Sequence, residues 1–400
     1  MLIAVLGVAV CVHSCELASQ DATLPIHPDT IVVHSQQPLL DSSKALRLSQ
    51  QAILTVSGRR SPGSDLFRVA GAVRLSDGLI VVAEGSTQQL LFYRRDGQFQ
   101  KAVGRSGDGP GEFRSINSLW LLAGDTIVVG SAGNNVTWLT SDGAYVRRLS
   151  LASPFRRVVA VLQHGKLVVV SLVPRAPAVE PQSGVDSAQV DILREDGRTV
   201  ITLGRLPTFQ VAMGRTGPRP PWFGAEAVFA ARTPFWYYGF GSDFEIRVYT
   251  ENGDIARVLR RRFAPRAVTR DDIDGFVKEW GKRWLKTRGL EREKAESDLR
   301  AAPYAASVPA FSQFLIDPSE RLWVREANLA DAPRAGQLKT MPLAPSTWNV
   351  FDISGRWLCT LSMPARFQPT DIGLDYVLGI SQDEEGIESV QMFRIITPRS

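Results

Sequence analysis

A spacing of 46 residues governs this sequence. Gly58-Arg59 is answered by Gly104-Arg105, Gly63 by Gly109, Phe67 by Phe113 and Asp96-Gly97 by Asp142-Gly143, each pair 46 residues apart. Self-similarity at that period points to a repeated supersecondary unit. The Asp-Gly landmark continues as Asp196-Gly197, Asn252-Gly253 and Ser354-Gly355, at spacings of 54, 56 and 102. Each lies between β-rich runs, as in LLFYRRDGQFQKAV and WNVFDISGRWLCTL. A two-residue turn containing Gly supplies the positive φ of a tight hairpin, so each landmark predicts one. An earlier hairpin precedes each: VRLSDGLIVVAE, LWLLAGDTIVVG, VAVLQHGKLVVV, VFAARTPFWYYG and FLIDPSERLWVR. A unit is then four strands, a to d, in about 45 residues, the pattern of a β-propeller blade.

Five hairpin pairs give five blades, and a sixth is incomplete. Near the C-terminus, Tyr376 to Ile380 and Ser389 to Ile395 read as its b and c strands, with no d strand after them. Ala52 to Ser57 stands before Gly58-Arg59 where a d strand stands before Gly104-Arg105. The expectation is an all-β fold, a six-bladed β-propeller of four-stranded blades whose last blade is closed by an N-terminal strand, which removes open sheet edges. The second unit, and above all Gly104-Arg105-Ser106-Gly107-Asp108-Gly109-Pro110-Gly111-Glu112-Phe113, resembles an NHL repeat and the bacterial six-bladed propeller proteins related to it. The resemblance implies the propeller fold. It fixes no activity.

The excess length is not spread evenly. It falls at 173–188 and 327–347, both b–c connections, and at 205–225 and 264–308, both d–a connections. In a propeller these connections share one face, so that face is predicted to carry binding. The 264–308 insertion holds a predicted helix. Thr269-Arg270-Asp271-Asp272 resembles a capping box, and Ile273, Phe276, Val277, Trp280 and Trp284 make one apolar stripe. The stripe packs on the propeller rim, or it serves as a lid or a partner-docking helix. From residue 256 to 300 there are 14 Lys and Arg against 8 Asp and Glu, a net of +6 where the whole chain carries +5. The basic run includes Arg260, Arg261, Arg262, Arg266, Lys282, Arg283, Lys286 and Arg288. It reads as a solvated face, with an anionic partner as the alternative.

The chain begins MLIAVLGVAVCVHSCE. Leu2 to Val12 is long enough for the core of an export signal and too short to span a bilayer. Val12-His13-Ser14-Cys15 resembles a lipoprotein cleavage box. The expected layout is a leader at 1–15, lipidated on Cys15 or simply cleaved, a linker at 16–44, and the propeller at 45–398 with a helical insertion at 264–308. Export to the cell envelope or beyond is the expected localisation. A membrane is met only through a lipid anchor, nucleic acid is not a partner, and the protein is a monomer. With Cys11, Cys15 and Cys359 as the only cysteines, a disulfide framework is excluded, and Cys359 reads as a buried inert thiol.

Four histidines, His13, His27, His34 and His164, starve any multi-histidine metal site or Ser-His-Asp triad. No catalytic residue, metal or cofactor is assigned. Phe67-Arg68, Phe113-Arg114 and Phe155-Arg156 open three successive blades. Arg68, Arg114 and Arg156 are therefore candidate ligand contacts on the insertion face, since guanidinium recognises carboxylate and sulfate well. Arg219 and Trp222, in the 205–225 d–a connection, and Glu226, just after it, complete the candidate set. The expected function is an extracytoplasmic binding module that recognises a protein or a small ligand. The alternative is a metal-assisted hydrolase or lactonase of the gluconolactonase-like propeller type, using Glu112, Glu226 and Asp371, which are placed near d–a to strand-a junctions.

Overall fold

The computed structural model describes residues 30–397, apart from 42, 58–64, 133, 152, 154, 173–182, 216, 289–291 and 332–341; side chains are described outside 281–292 and 331. The leader and Cys15, Gly58-Arg59, Gly63, and the side chains of Trp284, Lys282, Arg283, Lys286 and Arg288 lie outside the described residues. Six sheets follow one another along the chain. Blade 1 runs from Val69–Arg74 to Phe99–Val103, and blade 2 from Ser118–Leu122 to Tyr145–Ser150. Blade 3 runs from Arg156–Val161 to Thr199–Gly214, and blade 4 from Ala227–Arg232 to Ile255–Arg261. Blade 5 runs from Gln313–Ile316 to Trp357–Met363. Blade 6 supplies only three strands from the C-terminal region, Phe367–Ile372, Tyr376–Gln382 and Glu388–Ile396. Its outer strand is β3, Leu54–Val56, paired antiparallel with Val390 opposite Val56. The protein is a six-bladed β-propeller closed by an N-terminal strand.

The five Asp-Gly-type landmarks hold one conformation. Gly97, Gly143, Gly197, Gly253 and Gly355 have φ between 83° and 90°. Each N–H donates to the carbonyl three residues back, as Gly97 does to Arg94 at 2.8 Å, and a bulge interrupts the c–d register beside each turn. The connection is therefore a longer loop with glycine at its left-handed position and a bulge beside it, in place of the two-residue turn read from sequence. Each glycine also rests on the d strand of the blade before it: Gly143 is in blade 2, yet a Cβ there would meet Val103 at 3.0 Å, and one on Gly197 would meet Leu149 at 3.0 Å. The apolar core follows the same logic. One cluster joins Val81, Ala83 and Phe92 of blade 1 to Ile127, Val129 and Leu139 of blade 2. Another joins Ala72, Ile80 and Val82 of blade 1 to Leu378, Ile380 and Val390 of blade 6. Burial thus lies between blades, and a single blade cannot bury its faces alone.

The stretch read as a linker carries a strand. β1, Ile31–Ser35, pairs in parallel with the outer strand of blade 4, with Ile31 opposite Arg257. The chain then crosses blade 5, where Leu39 N–H donates to Trp357 O at 2.9 Å and Leu40 N–H to Leu358 O at 2.8 Å. β2, Arg47–Leu48, reaches blade 6. The N-terminal segment is a belt over three blades before it enters blade 1.

Antiparallel alternation within each blade places all d–a and b–c connections on one face. The 205–225 excess is partly strand: Gly184 to Ala188 pairs with Leu206 to Val211, a ribbon projecting from blade 3. Between blades 4 and 5 lie α1, Arg270–Arg288, and α2, Arg292–Arg300. The capping box forms as expected. Asp272 N–H donates to Thr269 Oγ1 at 3.2 Å, and Thr269 N–H donates to Asp272 Oδ2 at 2.9 Å. The α1 stripe is buried at Phe276 and Val277, with Ile273 and Trp280 packed beside them. Among the described residues no helix is long and apolar enough to cross a membrane.

Candidate functional site

Strand a is innermost, and the chain enters it on the insertion-bearing face. In five blades one carbonyl before strand a accepts an N–H from the end of strand b. Arg68 accepts from Gly85 at 3.2 Å, Arg114 from Ala132 at 2.8 Å and Phe155 from Leu172 at 2.8 Å. Glu226 accepts from Gly241 at 3.4 Å and Arg366 from Gln382 at 3.0 Å. This equivalence corrects the Phe-Arg recurrence. Arg68 and Arg114 share a position, but Arg156 lies one residue further on, inside strand a, and Phe155 takes the place of the arginine. Arg366 belongs to the set and was missed. It stands at φ 55°, as Arg68 stands at φ 54°, and its neighbours carry no Phe-Arg signal.

Two of the arginines are engaged within their own blades or loops. Arg114 is exposed and pairs with Asp108 in its own d–a loop. Arg156 reaches Asp191 of its own blade at 3.7 Å. Both stitch local structure. Arg219 lies on the short strand Gly217–Arg219, packed over Gly214, with its Nε buried and without a hydrogen-bond partner among the described residues. Trp222 is 1% exposed, with its ring 4.8 Å from Phe276 and 6.2 Å from Trp280. It is the seat on which α1 rests, and it offers no surface to a ligand.

Glu226 is different. It lines a cavity of about 120 Å³ between blades 4 and 5. Three stretches of chain build the walls: 223–228 before and in strand a of blade 4, 308–312 before strand a of blade 5, and 327–329 in the b–c connection of blade 5. Phe223, Ala227, Val228, Val308, Pro309, Phe311 and Leu329 make the lining mostly apolar, and Ser312 and Asn328 add two polar tips. Glu226 is the only charged side chain in that lining. Its carboxyl makes no hydrogen bond or ion pair among the described residues. Burial pushes it up to about 7, and the Arg157 guanidinium pulls weakly the other way. Leu329 and Phe223 also belong to the apolar cluster under α1, so the helical insertion buttresses two walls of the cavity.

A wider depression of about 330 Å³ lies on the opposite face, between blades 2 and 3, with Trp138, Arg147, His164 and Glu195 on its walls. Its charged groups are occupied: Arg147 stacks 3.5 Å from the Trp138 ring centre and donates to Glu195 O at 2.8 Å. The basic run of the insertion is partly neutralised too. Arg260 pairs with Glu245, Arg261 with Glu326 and Arg266 with Asp272. Cys359 is buried, and burial raises its thiol.

The carboxylates considered for a metal lie apart in kind and place. Glu112 is tied to Arg105 at 2.6 Å and accepts from Gly109 N–H, which lowers it. Asp371 sits toward the far end of strand a, on the a–b side, and accepts from Arg74 N–H at 3.1 Å and Tyr376 Oη–H at 2.9 Å. That corrects its placement near a d–a junction. Among the described residues no three His, Cys, Asp or Glu side chains gather as a metal site would need.

Known proteins agree on shape. Residues 63–160 match the family DUF5128, described as a 6-bladed beta-propeller. No curated protein matches the chain. A member of the DUF4221 family from Bacteroides vulgatus is 9% identical, with a TM-score of 0.52 over 89% of this chain and 99% of that one. A Bacteroides fragilis protein described as a candidate exported protein is 14% identical, with a TM-score of 0.48 over 92% and 99%. A regucalcin, a calcium-binding protein from Agrobacterium tumefaciens, is 8% identical, with a TM-score of 0.37 over 92% and 97%. The likeness to the Bacteroides vulgatus protein is one of fold alone.

Proposed function

We propose that this chain is a non-catalytic binding module that works outside the cytoplasm and takes one group of a partner molecule into the cavity between blades 4 and 5. The observation that carries the reading is Glu226, a carboxyl with no hydrogen bond or ion pair among the described residues, in a mostly apolar cavity on the insertion-bearing face. A carboxyl in a concave, mostly apolar site whose titration is shifted by burial is a candidate functional residue. The cavity is smaller than the ~300–1,000 Å³ that hold a drug-sized ligand. It suits one side chain or a small head group, the kind of central anchor that dominates interface energetics. Export rests on the Leu2 to Val12 run, and anchoring on Cys15.

The test is capture from the native envelope with the purified chain as bait. Asn328 is exposed at the cavity. Asn328→Trp fills the entrance and is expected to abolish capture. Asn252→Trp, on a c–d turn of the opposite face, is expected to leave it intact. Equal capture by both variants, each with a wild-type denaturation curve, overturns the reading.

A further inference from the structure

We infer that the cavity between blades 4 and 5 is a receptor for a primary alkylammonium group on a short carbon chain, the chemistry of a lysine side chain, with Glu226 as its counter-ion. The inference rests on the reading of this cavity as the binding site and names what it binds. The walls favour a carbon chain: Phe223, Val228, Val308, Pro309 and Leu329 offer no polar side-chain atom. Each methylene they cover adds to affinity by leaving water. The polar side chains number three, Glu226, Ser312 and Asn328, and all three can accept a hydrogen bond. An ammonium head has three N–H donors and no acceptor, so the inventory matches. Guanidinium is a poorer fit, because its planar fork carries five donors.

Charge leads to the same ligand. No cationic side chain lines the cavity, so an anionic guest would meet Glu226 without a neutralising group. Arg157, on strand a of blade 3, acts on Glu226 but forms no ion pair with it among the described residues. Empty, the carboxyl is pushed up to about 7 by burial. An entering cation makes the ionised form favourable, so binding is expected to release a proton below the titration point. Affinity should therefore rise with pH through that point. With Glu226 titrating at about 7, going from pH 6 to pH 8 should strengthen binding roughly tenfold.

Saturation-transfer NMR titrations of the full chain with n-butylammonium, 1-butanol and butyrate test the assignment. The ammonium is expected to bind at least tenfold more tightly than the alcohol, and butyrate not at all. Glu226→Gln should erase the preference over the alcohol and the pH dependence while leaving the denaturation curve cooperative. Glu226→Asp, which keeps the charge, should retain the preference. N-acetyl-lysine amide against N-acetyl-norleucine amide separates the sources. Binding of the lysine derivative assigns the site to a protein partner, and binding of butylammonium alone assigns it to a free amine. Equal binding of alcohol and ammonium, or preferred binding of butyrate, overturns the assignment. The two readings fail separately: if Asn328→Trp blocks envelope capture while the amine shows no preference, the cavity is a binding site for something else.

Discussion

A Cβ placed on Gly97 would stand 3.1 Å from Leu54 Cδ1. Leu54 is on the strand that completes blade 6, and Gly97 is on the c–d turn of blade 1, so this contact spans the seam of the ring. It repeats the contact of Gly355 with Leu259, where blade 5 meets blade 4. The N-terminal strand thus fills the place that every other d strand fills. Gly97→Val is expected to cost at least ~2 kcal/mol, from left-handed backbone strain plus the clash with Leu54. Gly124→Ala is the comparison: Gly124 has φ 72° with nothing within 4 Å of its would-be Cβ, so only the ~1 kcal/mol backbone cost applies. Urea midpoints at constant slope would measure both, and Leu54→Ala should partly restore Gly97→Val.

Glu226 makes stability depend on pH in a fixed direction. Its carboxyl is raised from 4.5 to about 7 in the folded chain, so between those values the folded state holds more proton than the unfolded one. Its contribution is greatest below pH 4.5 and fades as pH rises to about 7. Complete loss amounts to about 3 kcal/mol. Glu226→Gln should remove this dependence, so that the variant gains on the wild type between pH 5 and pH 8. Equal pH profiles of the melting temperature would contradict it.

Phe276 packs against both Trp222 and Phe223, with ring centres 4.8 and 4.9 Å away, tilted on the first and edge-on to the second. Phe276→Ala should cost about 3–5 kcal/mol locally. Because α1 and α2 are an insertion, the loss should appear as faster hydrogen exchange and protease cleavage within 264–308, with the blades still protected. The same variant should weaken ligand binding, since Phe223 and Leu329 are shared between the helix seat and the cavity wall.

The capping box should carry its own weight. Thr269→Ala removes the acceptor for Asp272 N–H and is expected to cost about 1 kcal/mol. Asp272 is held down to about 2 by Arg266 and by the Thr269 N–H and hydroxyl. A lowered carboxylate stabilises above its unfolded value, so this contribution should vanish as pH falls from about 4 to about 2. Loss of α1 helicity by far-ultraviolet circular dichroism over that interval would report it.

The blades were legible because their cause is local and repeated. A glycine with φ near 83° is demanded at every c–d turn, so Asp96-Gly97 and its counterparts stand out in any single reading. The closing strand was legible by analogy, because Ala52 to Ser57 sits where a d strand should. β1 was not, since a parallel strand on an outer edge needs no turn and leaves no periodic mark. Arg366 was hidden for the reason that Arg156 misled: the ring position is set by a backbone hydrogen bond, and side-chain identity drifts around it. Glu226 could be named from its place in the chain, but its cavity could not. The walls come from 223–228 and, 80 residues further on, from 308–312 and 327–329, joined only by the packing of two blades and an insertion.

Val56 and Val390 are paired across a separation of 334 positions. During synthesis, therefore, the first-made edge waits without its partner until Val390 has emerged. Contacts this distant are slow to form, and unpaired edges attract other chains meanwhile. The wheel can lock only after all six blades have been made, so its first and last strands stay free of each other until then.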